Sequence, residues 1–312
     1  MHDLNYQHDG TANGMENVLQ IAATRRFGTL SPLRYPGGKA SLAGLFSDII
    51  ADIGIQSCRY VEPYAGGAGA GIALLRKGLI DELVINDIDP AVNAFWQSIT
   101  KFNQQFIESI HTTPLTVNEW KRQRAIYKSP ETTDSFNLGF AFFYLNRTNR
   151  SGILNAGVIG GQKQTGTYKI DARFNREALA ERIQSIGNLS QRIKVSSDDG
   201  RTTIRKYSTD PNSFIYIDPP YVQAGSQLYL NSFTRRDHIS LAKIIQEISS
   251  AHWLLTYDDS KFIRELYDDE FQCDLHLNYS ARHPGRATEV LVASEQVAKS
   301  IHSTWTPSSA MR

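Results

Sequence analysis

The sequence predicts an α/β protein with a mostly parallel, doubly wound sheet and a mainly helical segment inserted into it. Two observations carry this prediction. Short β-type runs alternate with helical stretches over residues 60–100 and again over residues 214–293, and strands separated by helices form parallel sheets. Residues 101–195 break this alternation: they read mainly helical, and the glycines between residues 146 and 168 favour a hairpin or a long loop.

The first half of the sheet is predicted from residues 60–96. A β-type run at 60–63 leads into a glycine-rich loop and a helical run at 72–77, which Gly78 closes. The next β-type run, 83–86, precedes a helix with Pro90 in its first turn, where a missing N–H is tolerated. This strand, helix, strand, helix order is typical of a parallel sheet.

The second half is predicted from residues 214–293. After a β-type run at 214–217, Thr234 opens a helix with Asp237 three residues on, as in a capping box. β-type runs follow at 253–256 and 289–293, with a helix capped by residues 258–260 between them.

Composition and patterning set the expected domains. We expect residues 29–100 and 196–302 to form one domain and residues 101–195 to be inserted as another. Residues 1–28 and 303–312 are polar and lack periodicity, which predicts flexible tails. The chain has 41% hydrophobic residues, no apolar run long enough to span a membrane and no secretory signal pattern, so we expect a cytoplasmic protein. Two cysteines without C-x-x-C spacing indicate neither a disulfide nor a metal site.

The charge is strongly segregated although the net charge is only +1. Residues 121–206 hold 16 Lys and Arg against 7 Asp and Glu, a surplus of nine positive charges, so the rest of the chain carries a net charge of −8. A basic region of this size suits phosphate contacts, but a solvated helical face can also be basic.

The tetrapeptide Asp218-Pro219-Pro220-Tyr221 follows the β-type run 214–217 directly and suits the methylation of an exocyclic amine. The lone pair of such an amine is delocalised into the aromatic ring, and two acceptors for its N–H groups make the pair available. Asp218 offers a carboxylate and Pro219 a carbonyl oxygen, while the prolines fix φ and carry no N–H donors. Tyr221 offers a ring for a flipped base. We therefore predict Asp218, Pro219, Pro220 and Tyr221 as catalytic residues.

The glycine-rich loop at residues 62–71 lets a ligand approach the backbone closely. It lacks the G-x-G-x-x-G spacing of dinucleotide-binding loops, because Ala68 or Ile72 stands where a glycine is needed. Asp87 comes twenty residues after Gly67, at the end of the next β-type run, where a carboxylate can hold two ribose hydroxyls. The loop therefore predicts a nucleoside-type ligand without a pyrophosphate.

Four segments together resemble the class-α, Dam-like DNA adenine methyltransferases, which use S-adenosyl-L-methionine to methylate the N6 amine of adenine. Residues 35–39, 62–69, 86–89 and 218–221 are similar to the family's aromatic-x-Gly-Gly-Lys motif, cofactor loop, acidic motif and catalytic motif. Their order is also that of the α class. The resemblance implies a Rossmann-like fold, and it implies cofactor contacts by Tyr35, Lys39, Glu62, Gly66, Asp87 and Asp218. Lys39 either binds the cofactor's carboxylate or pairs with a neighbouring acid.

Within the insertion, residues 144–147 and Gly152 resemble the start of the family's DNA-reading hairpin. This implies DNA contacts by Asn146, Arg147, Arg150 and Asn155. Arg150 stands where Dam has an intercalating aromatic residue, and Asn155 stands where it has a base-reading arginine, so the resemblance does not extend to a GATC target. Arg147 and Arg150 either read guanine edges or bind phosphate.

The resulting hypothesis is a metal-free, site-specific enzyme that methylates adenine N6 in double-stranded DNA, acting alone or beside a cognate restriction endonuclease. Three alternatives stay open. The first is an amine methyltransferase acting on cytosine N4, RNA or protein glutamine. The second is a catalytically silent DNA-binding protein of methylase descent. The third is a nicotinamide oxidoreductase, against which the glycine spacing argues.

Overall fold

The computed structural model describes residues 18–21, 27–28, 30–34, 38–222, 233–277 and 287–305. Eight strands form its sheet: β1 (Val18–Ile21), β2 (Arg59–Glu62), β3 (Glu82–Asn86), β4 (Ile193–Ser196), β5 (Ser213–Ile217), β6 (His252–Asp258), β7 (Phe271–Leu277) and β8 (Ala287–Ala293). They lie in the order β1-β7-β8-β6-β5-β2-β3-β4. Among these strands, β8 alone runs antiparallel to its neighbours. The predicted mostly parallel α/β fold is confirmed.

Eleven α-helices are described: α1 (Ala43–Ile53), α2 (Gly69–Arg76), α3 (Pro90–Lys101), α4 (Asn103–Thr112), α5 (Val117–Tyr127), α6 (Ser135–Thr148), α7 (Arg176–Gly187), α8 (Gly200–Tyr207), α9 (Arg235–Gln246), α10 (Lys261–Leu266) and α11 (Glu295–Thr304). None of the helices in the described ranges combines the length and the apolar character needed to cross a membrane.

Helices cover both faces of the sheet. One face packs beneath α1, α2, α3 and α11, and the other beneath α8, α9 and α10. The central strand β5 is buried at each of its positions, as expected for a parallel strand covered on both sides. This two-sided covering is the doubly wound arrangement that the sequence predicts.

Local capping explains where several helices begin. Asp89 caps α3 by accepting a hydrogen bond from the N–H of Ala91 at 2.8 Å, with Pro90 as the first helical residue. Thr234 and Asp237 form the reciprocal capping box expected at the start of α9. Ser260 caps α10. These three predicted helix starts are confirmed.

The inserted helices share one hydrophobic core with the sheet. Aromatic side chains of α6 pack against those of α3 and α4: the ring of Phe143 stacks on Phe95 at 5.9 Å and meets Phe106 edge-on at 5.3 Å. Buried residues of α6 and α7 belong to the same continuous cluster as those of α1 and α2. The insertion is therefore held firmly against the sheet.

Several predicted boundaries are wrong. The predicted tail at 1–28 contains β1, which pairs in parallel with β7. β4 begins at Ile193, within the predicted insertion 101–195, and crosses its end, while α11 extends to Thr304, into the predicted tail at 303–312. Of the predicted alternatives, a hairpin or a long loop, the structure shows the loop: α6 continues to Thr148 and is followed by a short 3₁₀ turn and one isolated bridge between Asn149 and Val158, with no further helix or strand described before α7.

The contact between α3 and α6 depends on Gly139. A Cβ at this position would lie 2.5 Å from the carbonyl oxygen of Ala94, so the two helix backbones come too close for a side chain.

We expect Gly139→Ala to lower the free energy of unfolding by about 1 to 3 kcal/mol, because overpacking forces the helices apart. At an exposed helical site the same change raises stability by up to about 1 kcal/mol. A urea titration therefore shows, by whether the free energy of unfolding falls or rises, whether the two helix backbones are in close contact at Gly139. A more stable variant would show that the helices do not cross this closely.

Candidate active site

The candidate active site lies at the carboxyl ends of neighbouring parallel strands. β2, β3, β5 and β6 run parallel, so their carboxyl ends meet at one edge of the sheet. Between β2 and β5 the strand order changes direction, and ligands of open α/β sheets bind at such a point. The polar side chains at these ends are Glu62, Asp87, Asp218 and Thr256.

The register between β5 and β6 places Thr256 beside Asp218. Ile217 pairs with Leu255, so Asp218 and Thr256 are the next positions along the two strands. Thr256 is fully buried, and its hydroxyl donates to Oδ1 of Asp218 at 2.9 Å. Because that hydroxyl has a single proton, the hydroxyl of Tyr216, 2.8 Å away, donates to Thr256 in turn.

The two carboxylate oxygens of Asp218 have different surroundings. Besides Thr256, the hydroxyl of Tyr221 donates to Oδ1 at 3.1 Å, and the ammonium of Lys39 lies 3.5 Å from it. Oδ2 accepts no hydrogen bond from the residues that the structure describes, and the side chain is 25% exposed. The protein thus fixes one oxygen and leaves the other accessible.

Lys39 is a buried cation held between distant parts of the chain. Its Nζ donates to the hydroxyl of Tyr221 at 2.6 Å and to Oε1 of Glu289 at 3.1 Å. Lys39 is 6% exposed and Glu289 4% exposed. Removing either charge from water costs several kcal/mol, which close pairing offsets. Of the two roles expected for Lys39, the described contacts match the one beside neighbouring acids.

Sequence reasoning missed three members of this network, namely Thr256, Tyr216 and Glu289. Thr256 ends the apolar run of β6, and Glu289 precedes the apolar run of β8. A polar residue at the end of a buried apolar strand is the signal that could have marked both.

The cofactor loop is tied to the end of β3. The N–H of Gly66 donates to Oδ2 of Asp87 at 2.8 Å, and the N–H of Asp89 donates to Oδ1 at 2.9 Å. Trp96 of α3 donates from its ring N–H to the carbonyl of Gly66 at 2.9 Å. Burial raises the pKa of Asp87 to about 6, although these two backbone bonds favour its ionised form. The structure thus brings the predicted residues Gly66 and Asp87 together.

For two further predicted cofactor residues, Glu62 and Tyr35, the described part of the structure shows no such arrangement. Glu62 is buried, and its Oε1 accepts from the N–H of Gly71 at 2.9 Å, at the start of α2. Burial raises the pKa of Glu62 to about 8 despite this bond. Its role here is to hold the loop, and its contact with a cofactor stays a prediction. Tyr35 lies outside the described residues.

Asn146 is buried and its amide bonds to backbone within the protein, so its contact with DNA stays a prediction. It is 1% exposed. Its amide oxygen accepts from the N–H of Arg34 at 2.8 Å, while its amide nitrogen donates to the carbonyls of Arg34 and Gly152 at 2.9 and 3.2 Å. Gly152 adopts φ 76°, and a Cβ there would lie 2.5 Å from the carbonyl oxygen of Arg34. The motif match identified the residue but not where its side chain points.

The other predicted DNA contacts have different exposures. Arg150 and Asn155 are exposed, and the guanidinium of Arg150 lies over Gly157. Arg147 is half-buried: its Nε donates to the carbonyl of Arg173 at 2.8 Å and one amino group donates to the carbonyl of Pro32 at 3.4 Å. For these three residues a contact with DNA stays a prediction.

Known proteins resemble this chain along most of its length. Type II methyltransferase M.CviBI of Paramecium bursaria Chlorella virus NC1A is 23% identical over 276 residues, which are 86% of this chain and 98% of that protein. Type II methyltransferase M.MjaIII of Methanocaldococcus jannaschii is 25% identical, covering 67% and 77% of the two chains. The retron Ec67 DNA adenine methylase of Escherichia coli is 24% identical, covering 76% and 82%.

A family model gives the assignment. The model described as D12 class N6 adenine-specific DNA methyltransferase matches residues 35–279, which include strands β2 to β7, the insertion and the tetrapeptide at 218–221. The protein therefore belongs to the D12 class N6 adenine-specific DNA methyltransferases.

Proposed function

We propose that this chain carries out adenine-N6 methylation with S-adenosyl-L-methionine as the methyl donor and Asp218 as the residue that orients the target amine in duplex DNA. The observation that carries the proposal is the asymmetric environment of Asp218. Its Oδ1 is fixed by Thr256 and Tyr221, and its Oδ2 is accessible at the carboxyl edge of the sheet. An adenine reaches such a site only after it has been flipped out of the duplex.

The amine is activated by two acceptors. Oδ2 of Asp218 accepts from one N–H of the adenine amine and the carbonyl oxygen of Pro219 accepts from the other. No residue in the described part of the chain donates to that carbonyl. Because both acceptors are fixed at the end of β5, they direct the nitrogen lone pair without reorganising during the reaction. The proton leaves after transfer, when the methylated amine is strongly acidic.

Tyr221 holds the flipped base. Its hydroxyl accepts from Lys39 and donates to Asp218, which fixes the ring beside the acceptors. One side of the ring packs against Tyr257, with the ring centroids 6.1 Å apart. Stacking of a base on such a ring contributes about 1 to 3 kcal/mol.

The donor set of the site fits S-adenosyl-L-methionine. Asp87 lies next to the Gly66 loop, and its carboxylate suits two ribose hydroxyls. The carboxylate of Asp218 at this edge of the sheet suits a positively charged sulfonium. When bound, the cofactor supplies a methyl group on positively charged sulfur, which is a good leaving group.

DNA recognition belongs to the inserted helices in this proposal. Most of the basic region 121–206 lies in the insertion, and Arg150 and Asn155 are exposed there. Two of the relatives are named type II methyltransferases, so a cognate restriction endonuclease is a candidate partner. Single-molecule sequencing of DNA from cells that express the chain reports both the modified base and its sequence context.

The test of the proposed chemistry is Asp218→Asn. This change places an amide donor where one acceptor is needed, so we expect the rate of methyl transfer to fall by at least about 100-fold. Incorporation of labelled methyl groups into DNA measures the rate. Gel-shift titrations should show that the affinity for DNA changes little.

The matched control for that substitution is Asp259→Asn, which makes the same chemical change at a carboxylate that pairs with Arg264 outside the site. We expect near wild-type methylation from it. An Asp218→Asn variant that methylates as fast as this control would show that Asp218 does not orient the amine.

The pKa of Asp87 predicts how cofactor affinity depends on pH. Because its pKa is raised to about 6, Asp87 is ionised at pH 7.5 and largely neutral at pH 5, where it accepts hydroxyl hydrogen bonds poorly. We expect the Kd for S-adenosyl-L-methionine to rise about tenfold between these pH values, as follows for a single titrating group. Calorimetry on Asp87→Asn should give weaker and nearly pH-independent binding. Equal pH dependence in both proteins would contradict the assignment.

A further inference from the structure

Four arginine side chains converge where the segment at residues 31–34 meets the end of α6. We call them the basic cluster: Arg34, Arg147, Arg173 and Arg182. Arg147 reaches the carbonyls of Pro32 and Arg173. Arg182 reaches the carbonyl of Ser31 at 3.4 Å, and Arg34 that of Asn149 at 3.1 Å. Arg147 and Arg182 thus bond the backbone of residues 31–34, and the charges of Arg34 and Arg173 act on Arg147 from nearby.

The basic cluster lacks internal counter-charges. Within the described ranges, none of its members forms an ion pair with a carboxylate, and the partners of their hydrogen bonds are neutral carbonyl oxygens. Four arginines elsewhere in the described ranges differ from the cluster in having a carboxylate partner. Those that pair with Asp or Glu are Arg59, Arg122, Arg201 and Arg264.

Mutual repulsion makes the basic cluster unfavourable by itself. Burial, followed by the charges of Arg34, Arg182 and Arg173, lowers the pKa of Arg147 to about 9. Burial and the charge of Arg173 also lower the pKa of Arg34. Positive groups held together without a counter-charge favour an anionic ligand that neutralises them.

The basic cluster is fixed relative to the active site. The hydroxyl of Ser31 donates to the carbonyl of Gly67 in the cofactor loop at 2.7 Å. Asn146 bonds the backbone of Arg34 on both sides, which ties the same segment to α6. An anion held here is therefore placed at a defined distance from Asp218.

An exposed aromatic ring adjoins the basic cluster. The guanidinium of Arg173 lies over the ring of Tyr168 at 6.0 Å, and Tyr168 is 62% exposed. Cations interleaved with exposed aromatic rings suit nucleic acid better than a small inorganic anion.

We propose that the basic cluster binds a backbone phosphate of the DNA substrate and so sets the register in which the target adenine faces Asp218. This inference rests on the proposed function. It also decides between the two roles open for Arg147: with Nε and one amino group on carbonyls, its guanidinium lacks the free fork needed for a guanine edge, whereas the remaining amino group can donate to a phosphate.

The experiment measures DNA affinity against salt concentration for Arg173→Gln and Arg182→Gln. These members are the least involved in the fold: the Arg173 side chain makes no described hydrogen bond, and that of Arg182 makes one, at 3.4 Å. Each lost phosphate contact lowers the slope of log K against log salt by about 0.9. Because the members share one phosphate, we expect the slope to fall by up to about 0.9 in each variant, with roughly tenfold weaker binding at moderate salt. We also expect a higher Tm without DNA, because one repelling charge is gone.

The matched control is Arg205→Gln, which removes one exposed positive charge on α8, on the opposite face of the sheet. Its salt slope should equal that of the wild type. Three outcomes overturn the proposal: wild-type slopes in the cluster variants, the same loss of slope in Arg205→Gln, or weakened S-adenosyl-L-methionine binding with unchanged DNA binding. The last would identify the cofactor's carboxylate as the anion.

The two proposals fail in different ways. If the wild type methylates DNA and the cluster variants have its DNA affinity and salt slope, the proposed phosphate site is wrong and the proposed function stands. Wild-type protein that binds DNA with a cluster-dependent salt slope and transfers no methyl group overturns the proposed function and leaves the phosphate site standing. Wild-type protein that does not bind DNA overturns both.

Discussion

One carboxylate with a fixed oxygen and a free oxygen is the constraint on which the active site depends. Asp218 stands at the end of β5, and the register with β6 brings Thr256 to the same oxygen that Tyr221 reaches along its own turn. The hydrogen bonds from Tyr216 to Thr256 and from Thr256 to Oδ1 keep the carboxylate of Asp218 from rotating. The direction of Oδ2 is therefore set by the pairing of β5 with β6, and the geometry of the site depends on that register.

The buried charges of the site form a second constraint. Lys39 lies before the first helix and Glu289 in the antiparallel strand β8, yet their side chains meet at 3.1 Å. Since Glu289 takes a share of the ammonium's charge, Lys39 can approach Asp218 without neutralising it fully. Because Lys39 and Glu289 are buried, their charges are screened less by solvent than they would be in water.

Contiguous features were predictable from the sequence and distributed ones were not. The run 214–217 and the tetrapeptide after it are adjacent in the chain, so their pattern predicts both a buried strand and the position of Asp218. Thr256 and Glu289 reach the site only through strand register, which the sequence does not state. Asn146 shows the reverse case: a motif places the residue, but packing against Arg34 decides that its amide faces inward.

The two charged regions of the molecule are built on opposite principles. Around Lys39 each described charge has a partner within the protein, so the network is organised before substrate arrives. In the basic cluster the partners are carbonyls, and the positive charges repel one another until an anion is bound. The favourable contact with the DNA phosphate therefore forms away from the reacting atoms, where it positions the duplex. The two acceptors for the amine stay rigid. Asn146 and Ser31 connect the basic cluster to the cofactor loop through hydrogen bonds to backbone, and in the described part of the chain the two regions share no side-chain charge. The affinity for DNA can therefore change without altering the geometry of the transfer site.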